Sequence, residues 1–372
     1  MSTTDSTAGT AGAPAPVPLP GGTVVTVTGE VAPDTLGAVL PHEHLLSDTA
    51  PPGDTAESWA ASGRTRPATA TRISFYRAPL TMALLGDIAL GVPNRDNWLL
   101  GDEQVAAEEA AAFRRAGGGT LVDLTTAQLG RDPAGLRRIS ESSGVTVVMG
   151  TGRHHPAWGG VRAGESAEEL TEEFVRDLTE GVGGVRAGVI GRLGALDPRE
   201  PAERAVLVAA ARASAATGAA VSLRRSADPG VQRHVLDLLA EEGADLGRVA
   251  VGGCDALSPR PDDLEPLLER GVFVQFDRLG RLPSAASASD DQDVAAAVLE
   301  LARRGHAGRV LLSQGIDSKA GLLAHGGGGY GFLLQQFVPY LRMLGADDAL
   351  VETVTVRNPG RLLTIAEQRT DA

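Results

Sequence analysis

From Leu99 to Ser313 the chain alternates short apolar runs with longer stretches whose apolar residues recur at helical spacing. Asp102 to Arg115 has a helical composition, Gly117-Gly118-Gly119 stops it, and Thr120 to Leu124 then reads as a strand. Asp132-Pro133 opens a helix to Ser142, followed by the strand Val145 to Met149. The same unit returns with a helix at Ala167 to Thr179 before Ala187 to Ile190, and one at Pro201 to Thr217 before Ala219 to Leu223. It returns again with Val231 to Glu242 before Val249 to Gly252, Pro261 to Arg270 before Val272 to Phe276, and Val294 to Arg304 before Arg309 to Ser313. Strands apolar on both faces, separated by amphipathic helices, indicate a parallel sheet. With the apolar run Gly37 to Leu40 added there are about eight such units, the number that closes a TIM (β/α)8 barrel. An open doubly wound sheet is the alternative, but no glycine-rich dinucleotide fingerprint follows any strand.

Outside the repeat, Thr23 to Val27 alternates β-branched residues before Gly29 and suits a short hairpin. Thr49 to Arg72 is rich in Pro, Ala, Thr, Ser and Gly and is long for a plain connection, so it reads as a lid, a mobile loop or a disordered insert. Residues 1–20 read as a disordered tail without a basic leader or apolar core, 21–365 as one barrel, and 366–372 as a C-terminal tail. The net charge of -13 over 372 residues argues against nucleic acid or an anionic membrane as the partner of the whole chain. Cys254 is the one cysteine, which rules out an intrachain disulfide, and no run of about 18 apolar residues occurs. The expectation is a cytoplasmic protein. Lys319 is the one lysine.

In a barrel the chemistry gathers just past the carboxyl ends of the strands. Those positions hold His42 and His44, then Asp123 and Thr125, Arg153 to His155, Arg192, Arg224 and Arg225, Cys254 and Asp255, Asp277, and Gln314 to Lys319. Side chains two apart on a strand share a face, so His42 and His44 project together, as a histidine pair does in a zinc or manganese site. Arg192, Arg224 and Arg225, with His155 and Asp277, are candidates for binding an anionic substrate. The equal alternative is that Arg192 and Arg224 each pair with a barrel acid such as Asp255, Asp277 or Glu43. His42, His44, His154 and Asp317 are the candidates for moving protons, and either His154 or His155 could serve near neutral pH.

The motifs Gly37-Ala38-Val39-Leu40-Pro41-His42-Glu43-His44-Leu45, Ala116 to Asp123, Gly130-Arg131-Asp132-Pro133, Val148 to Gly152, Arg186 to Gly191, Gly328 to Leu334 and Arg357 to Leu362 together resemble the phosphotriesterase family of the amidohydrolase superfamily, over about Gly21 to Ile365. That resemblance implies a TIM barrel holding two divalent metals, and a homodimer. It also implies that the histidine pair and a strand-eight aspartate hold one metal, two later histidines the other, and a carboxylated lysine or a glutamate bridges them. Only His42 and His44 survive here: the bridging position falls at Arg192, the strand-five histidine at Arg224, the strand-six histidine at Gly253 and the strand-eight aspartate at Gly315. Guanidinium groups have no lone pair to donate and repel a dication, so a binuclear site is not expected. One divalent ion on His42, His44 and Asp317 is the remaining metal reading. The expected function is hydrolysis of a small anionic ester, lactone or phosphoester. The alternatives are a metal-independent acid/base enzyme with an arginine clamp, and a non-catalytic barrel that binds a ligand.

Overall fold

A computed structural model describes residues 22–162, 164–281 and 287–365; both predicted tails, 1–20 and 366–372, lie outside the described residues. Eight parallel strands follow one another in sequence order around a nearly closed barrel: Ala38–Glu43, Gly118–Asp123, Thr146–Thr151, Val189–Leu193, Ala220–Arg224, Val249–Gly252, Phe273–Phe276 and Val310–Leu312. The predicted hairpin forms as Val24–Thr26 paired with Gly29–Val31, beneath the barrel.

Helix starts were legible because short polar side chains satisfy the free N–H groups there. Asp102 accepts from Gln104 and Val105 ahead of Glu103–Arg115, Asp132 accepts from Gly135, and Ser166 and Glu169 close a capping box before Ala167–Thr179. The helix expected over Pro261 to Arg270 is instead a tight turn, Pro261–Leu264, followed by a short helix, Glu265–Leu268. Pro266 has no N–H to donate back along such a helix, so the run breaks.

Alternation of side chains divides the core in two. Val39, Val122, Val148, Val189, Ala220, Ala250, Phe273 and Leu311, one from each strand, fill the barrel. Their neighbours Leu40, Leu121, Val147, Ile190, Val221, Val251, Val274 and Leu312 face the helices. Above the inner layer Gly150, Gly191 and Gly252 leave room for polar groups; a Cβ on Gly252 would lie 2.6 Å from Asp277 Oδ2.

The seam between the first and eighth strands is closed by side chains together with a main-chain hydrogen bond from Gly315 N to His42 O at 3.0 Å. Glu43 is fully buried, and it accepts hydrogen bonds from Ser313 Oγ (2.8 Å), Gln314 N (2.8 Å), Gly315 N (3.2 Å) and Ile316 N (2.8 Å). Burial pushes its carboxyl up to about 7 against the pull of those four donors. The single Ser313 hydroxyl proton is shared between Glu43 Oε1 and His42 O (2.9 Å), and Ser313 Oγ accepts from His42 N.

The insertion after the first strand is folded, not a disordered insert. It carries helices Ala56–Ala61 and Ala70–Arg77 around an aromatic cluster of Trp59, Tyr76 and Trp98. It is stitched to the loop after the eighth strand by Lys319 Nζ to Asp96 (2.7 Å), Lys319 N to Asn97 O (2.9 Å) and Ala320 N to Asn97 Oδ1 (2.8 Å). No helix of the described residues is long and apolar enough to cross a membrane.

Candidate active site at the barrel mouth

Strict alternation from Val39 would send His42 outward with Leu40. The pairing with the second strand slips between Leu40 and Glu43, which reverses the parity, and His42 meets groups from the fourth and seventh strands inside the barrel. A second slip, between Ile190 and Leu193, does the same for Arg192. The two irregularities bring together Asp277, His42 and Arg192.

His42 Nδ1 lies 2.7 Å from Asp277 Oδ2, and its Nε2 lies 3.2 Å from Arg192 Nη1. A guanidinium can only donate, so Nε2 carries the lone pair and the ring proton sits on Nδ1, donated to Asp277. Burial and then Arg192 lower the pKa of His42 against the pull of Asp277, which keeps the ring neutral. Burial raises that of Asp277, but the His42 ring, Arg192 and Arg224 outweigh it and hold the carboxylate below its usual range. The other Asp277 oxygen accepts from Gly253 N at 3.1 Å, so this residue anchors the site from within and has no free oxygen for a ligand. Arg192 is brought down to about 10 by burial, with Asp277 opposing and Arg224 adding, and stays charged.

The positions where the resemblance places metal ligands are filled in other ways. Gly315 has φ +56°, and a Cβ there would lie 2.5 Å from Asp277 O, so no side chain fits. Gly253 has φ +76°, and the Arg224 side chain lies 3.9 Å from where its Cβ would be. The His42 lone pair that would take a metal faces Arg192. Asp317 is paired with Arg281 Nη2 at 3.2 Å, and that interaction, with His44, Arg192 and Arg64, brings it down to about 2 against burial. The residues present therefore do not fit the family's metal pair. The single-ion set of His42, His44 and Asp317 does not assemble either: among the described residues no three His, Cys, Asp or Glu groups converge in a way that could hold a metal. The physical reason is that one member is capped by a guanidinium and another ion-paired to one.

His44 Nδ1 lies 2.9 Å from Thr125 Oγ1, and Tyr330 Oη donates to the His44 carbonyl at 2.7 Å. His154 is packed edge-on to Trp158, its Nδ1 is buried without a hydrogen-bond partner among the described residues, and burial followed by Arg192, His155 and Arg224 pushes its pKa down to about 3. His155 Nδ1 accepts from Ala157 N and caps the turn Pro156–Trp158. Arg225 turns to the Ser226 carbonyl, and Arg153 is held by Glu173 and Glu165, outside the His42 cluster. Neither Arg192 nor Arg224 forms an ion pair among the described residues. Asp255 instead accepts from Asp277 N and Arg278 N, and burial with Asp277 pushes it up to about 7. Cys254 is buried against Val251 O and pushed up to about 12, an inert thiol.

Three contributors escaped the sequence reading. Arg278 and Arg281 follow the seventh strand directly, and the strand-end rule applied one turn further would have found them. Arg64 comes from the insertion: it stacks 3.9 Å over Trp98 and 5.5 Å from Trp158, and donates to Thr49 O, which also receives Trp158 Nε1. Nothing local in the sequence marks it.

A family model described as the phosphotriesterase family matches residues 22–363. The chain is 28% identical over 354 residues to the N-acetyltaurine hydrolase of Xenopus tropicalis, covering 92% of this chain and 98% of that protein. Among solved structures, a resiniferatoxin-binding protein from Rhodobacter sphaeroides is 33% identical with a TM-score of 0.82, covering 95% of this chain and 97% of the other. The phosphotriesterase homology protein of Escherichia coli, complexed with phosphate in its active site, is 27% identical with a TM-score of 0.70, covering 89% of this chain and 100% of the other.

Proposed function

The chain belongs to the phosphotriesterase family, and from that premise we propose that it hydrolyses a small anionic ester, lactone, amide or phosphoester with a histidine–carboxylate pair and arginines where the family resemblance places metals. Amides enter the class because N-acetyltaurine hydrolases are similar over nearly the whole chain. The observation that carries the reading is the chain of contacts Asp277, His42, Arg192, in which a carboxylate fixes the tautomer of an imidazole whose second nitrogen faces a guanidinium.

Asp277 plays the orienting part of a catalytic triad, and His42 that of the base. The substrate's anionic group draws Arg192 off Nε2, which then accepts a proton from water as the water oxygen adds to the carbonyl carbon or phosphorus. The imidazolium is stabilised by Asp277, Arg224 donates to the developing oxyanion, and the proton passes to the leaving alkoxide or amine as its bond breaks.

The test uses protein freed of metal with a chelator and assayed on N-acetyltaurine, N-acyl amino acids, lactones and aryl esters. Turnover is expected to survive the chelator, and Asp277→Asn is expected to lower kcat by about 10²- to 10⁴-fold with little change in KM. Full activity in His42→Ala would overturn the assignment. A second reading, ligand binding without turnover, is favoured by the occupied Nε2 and by the likeness to a resiniferatoxin-binding protein. Saturable binding with no turnover on any of these substrates would decide for it. We also propose a homodimer and a cytoplasmic location; a single 38.3 kDa species in sedimentation would count against the dimer.

A further inference from the structure

We infer that Gln275, buried inside the barrel beneath the site, is a positioning residue whose side-chain amide holds the Asp277 carboxylate in line with the His42 ring. The inference deepens the proposed function and rests on that reading only for the idea that the pair moves protons.

Residues two apart on a strand share a face, so Gln275 follows Phe273 into the barrel and Asp277 stands above it, just past the strand end. Its neighbours in register are Gly252 on the sixth strand and Leu311 on the eighth, and Leu311 also fills the barrel. Gln275 is 1% exposed. Its Nε2 lies 3.4 Å from Asp277 Oδ2, the oxygen that takes the His42 Nδ1 proton at 2.7 Å. Charge decides which end of the amide faces Asp277: turned round, its carbonyl oxygen would meet a carboxylate oxygen, so the NH2 group donates. Gly252 makes room for this meeting, since a Cβ there would lie 2.6 Å from Asp277 Oδ2 and 3.3 Å from Gln275 Nε2.

Asp277 Oδ1 is held by Gly253 N at 3.1 Å, a single contact about which the carboxylate can turn. Among the described residues Oδ2 has two hydrogen-bond partners, His42 and Gln275. His42 is the group to be oriented, so the amide is what blocks that turn from inside the barrel. Packing gives no reason for a polar residue at this level. The layer below it is apolar on every strand, and Gln275 Oε1 is buried with no hydrogen-bond partner among the described residues. A buried, unpaired carbonyl oxygen lowers stability, and an apolar side chain of the same length would avoid the loss. What such a side chain could not supply is the donor to Oδ2.

The test is proton NMR of the full chain carrying histidine labelled with heavy nitrogen, following the low-field Nδ1–H resonance of His42, which is assigned by its loss in His42→Ala. Gln275→Met keeps the length and removes the donor. It is expected to broaden the resonance away through exchange with water, while the melting temperature stays the same or rises because the unpaired oxygen has gone. Gln275→Glu places a second carboxyl beside Asp277, where two buried carboxylates cannot both ionise. His42 and Gly253 N favour the charge on Asp277, so the new acid keeps its proton, still donates, and the resonance is expected to persist. In turnover assays Gln275→Met is expected to lower kcat about ten- to a hundredfold with KM changed by less than about twofold. A sharp, unmoved resonance in Gln275→Met, its loss in Gln275→Glu, or a lowered melting temperature in Gln275→Met would each overturn the positioning role. The expected NMR result with no turnover on any ester or amide would remove the hydrolase reading and leave that role standing. Full turnover in Gln275→Met with the resonance unmoved would do the reverse.

Discussion

At the barrel mouth the placement of one proton follows from the neighbour that cannot accept it. Arg192 forces the lone pair onto His42 Nε2, and Asp277 takes the Nδ1 proton. His154 shows burial, with that field added, acting on a ring whose Nδ1 has no hydrogen-bond partner among the described residues. Its pKa is pushed down to about 3, against about 6.5 for a free histidine. Between those values the unfolded chain binds the proton and the folded chain does not. The contribution of His154 to stability is therefore whole above about pH 6.5 and is lost as pH falls toward 3. Between pH 7 and pH 5 His154→Gln is expected to gain a few degrees of melting temperature relative to the unaltered protein, because the variant no longer loses the His154 contribution there. A slope identical to that of the unaltered protein would contradict the placement of His154 in the field of Arg192 and Arg224.

Among elements, the first strand does two jobs with adjacent residues. The slip between Leu40 and Glu43 turns the histidines inward, while Glu43 gathers the turn after the eighth strand and reinforces the closure that the Gly315 N to His42 O bond begins. Replacing Glu43 by Gln at pH 8 presents an amide NH2 to a main-chain N–H, so at least one donor loses its acceptor. The expected cost is about 1–3 kcal/mol in denaturant unfolding, with the parallel ladders of the other strands intact by circular dichroism. An unchanged midpoint would show that the seam does not depend on this carboxylate.

Across the whole molecule the insertion over the mouth has a small core of its own. Trp59 is 2% exposed, packs against Tyr76 and Trp98, and donates to Asp54 Oδ1. Trp59→Ala removes about 3–5 kcal/mol of packing from this segment, while the barrel core lies elsewhere. Trypsin is expected to cut after Arg64, Arg72 or Arg77 about a hundredfold faster, leaving a nicked barrel whose two pieces stay associated. Equal rates of cleavage would mean that the insertion is held by its stitches at Asp96 and Asn97 and not by its aromatic cluster.

Reading the letters alone was enough for the order of strands and helices and for most helix starts. These depend on neighbours in sequence: period-two and helical spacing, and an Asp or Ser ahead of a helix. Tertiary structure alone decided which way His42 and Arg192 point, because each strand slip exists only relative to its partner strand. It also decided that Asp277 serves as an internal anchor, that Asp317 answers to Arg281 while Lys319 goes to Asp96, and that Arg64 reaches the mouth from the insertion. Those pairings join residues up to hundreds of positions apart, and a side chain's partner is set by which loops the closed barrel brings side by side.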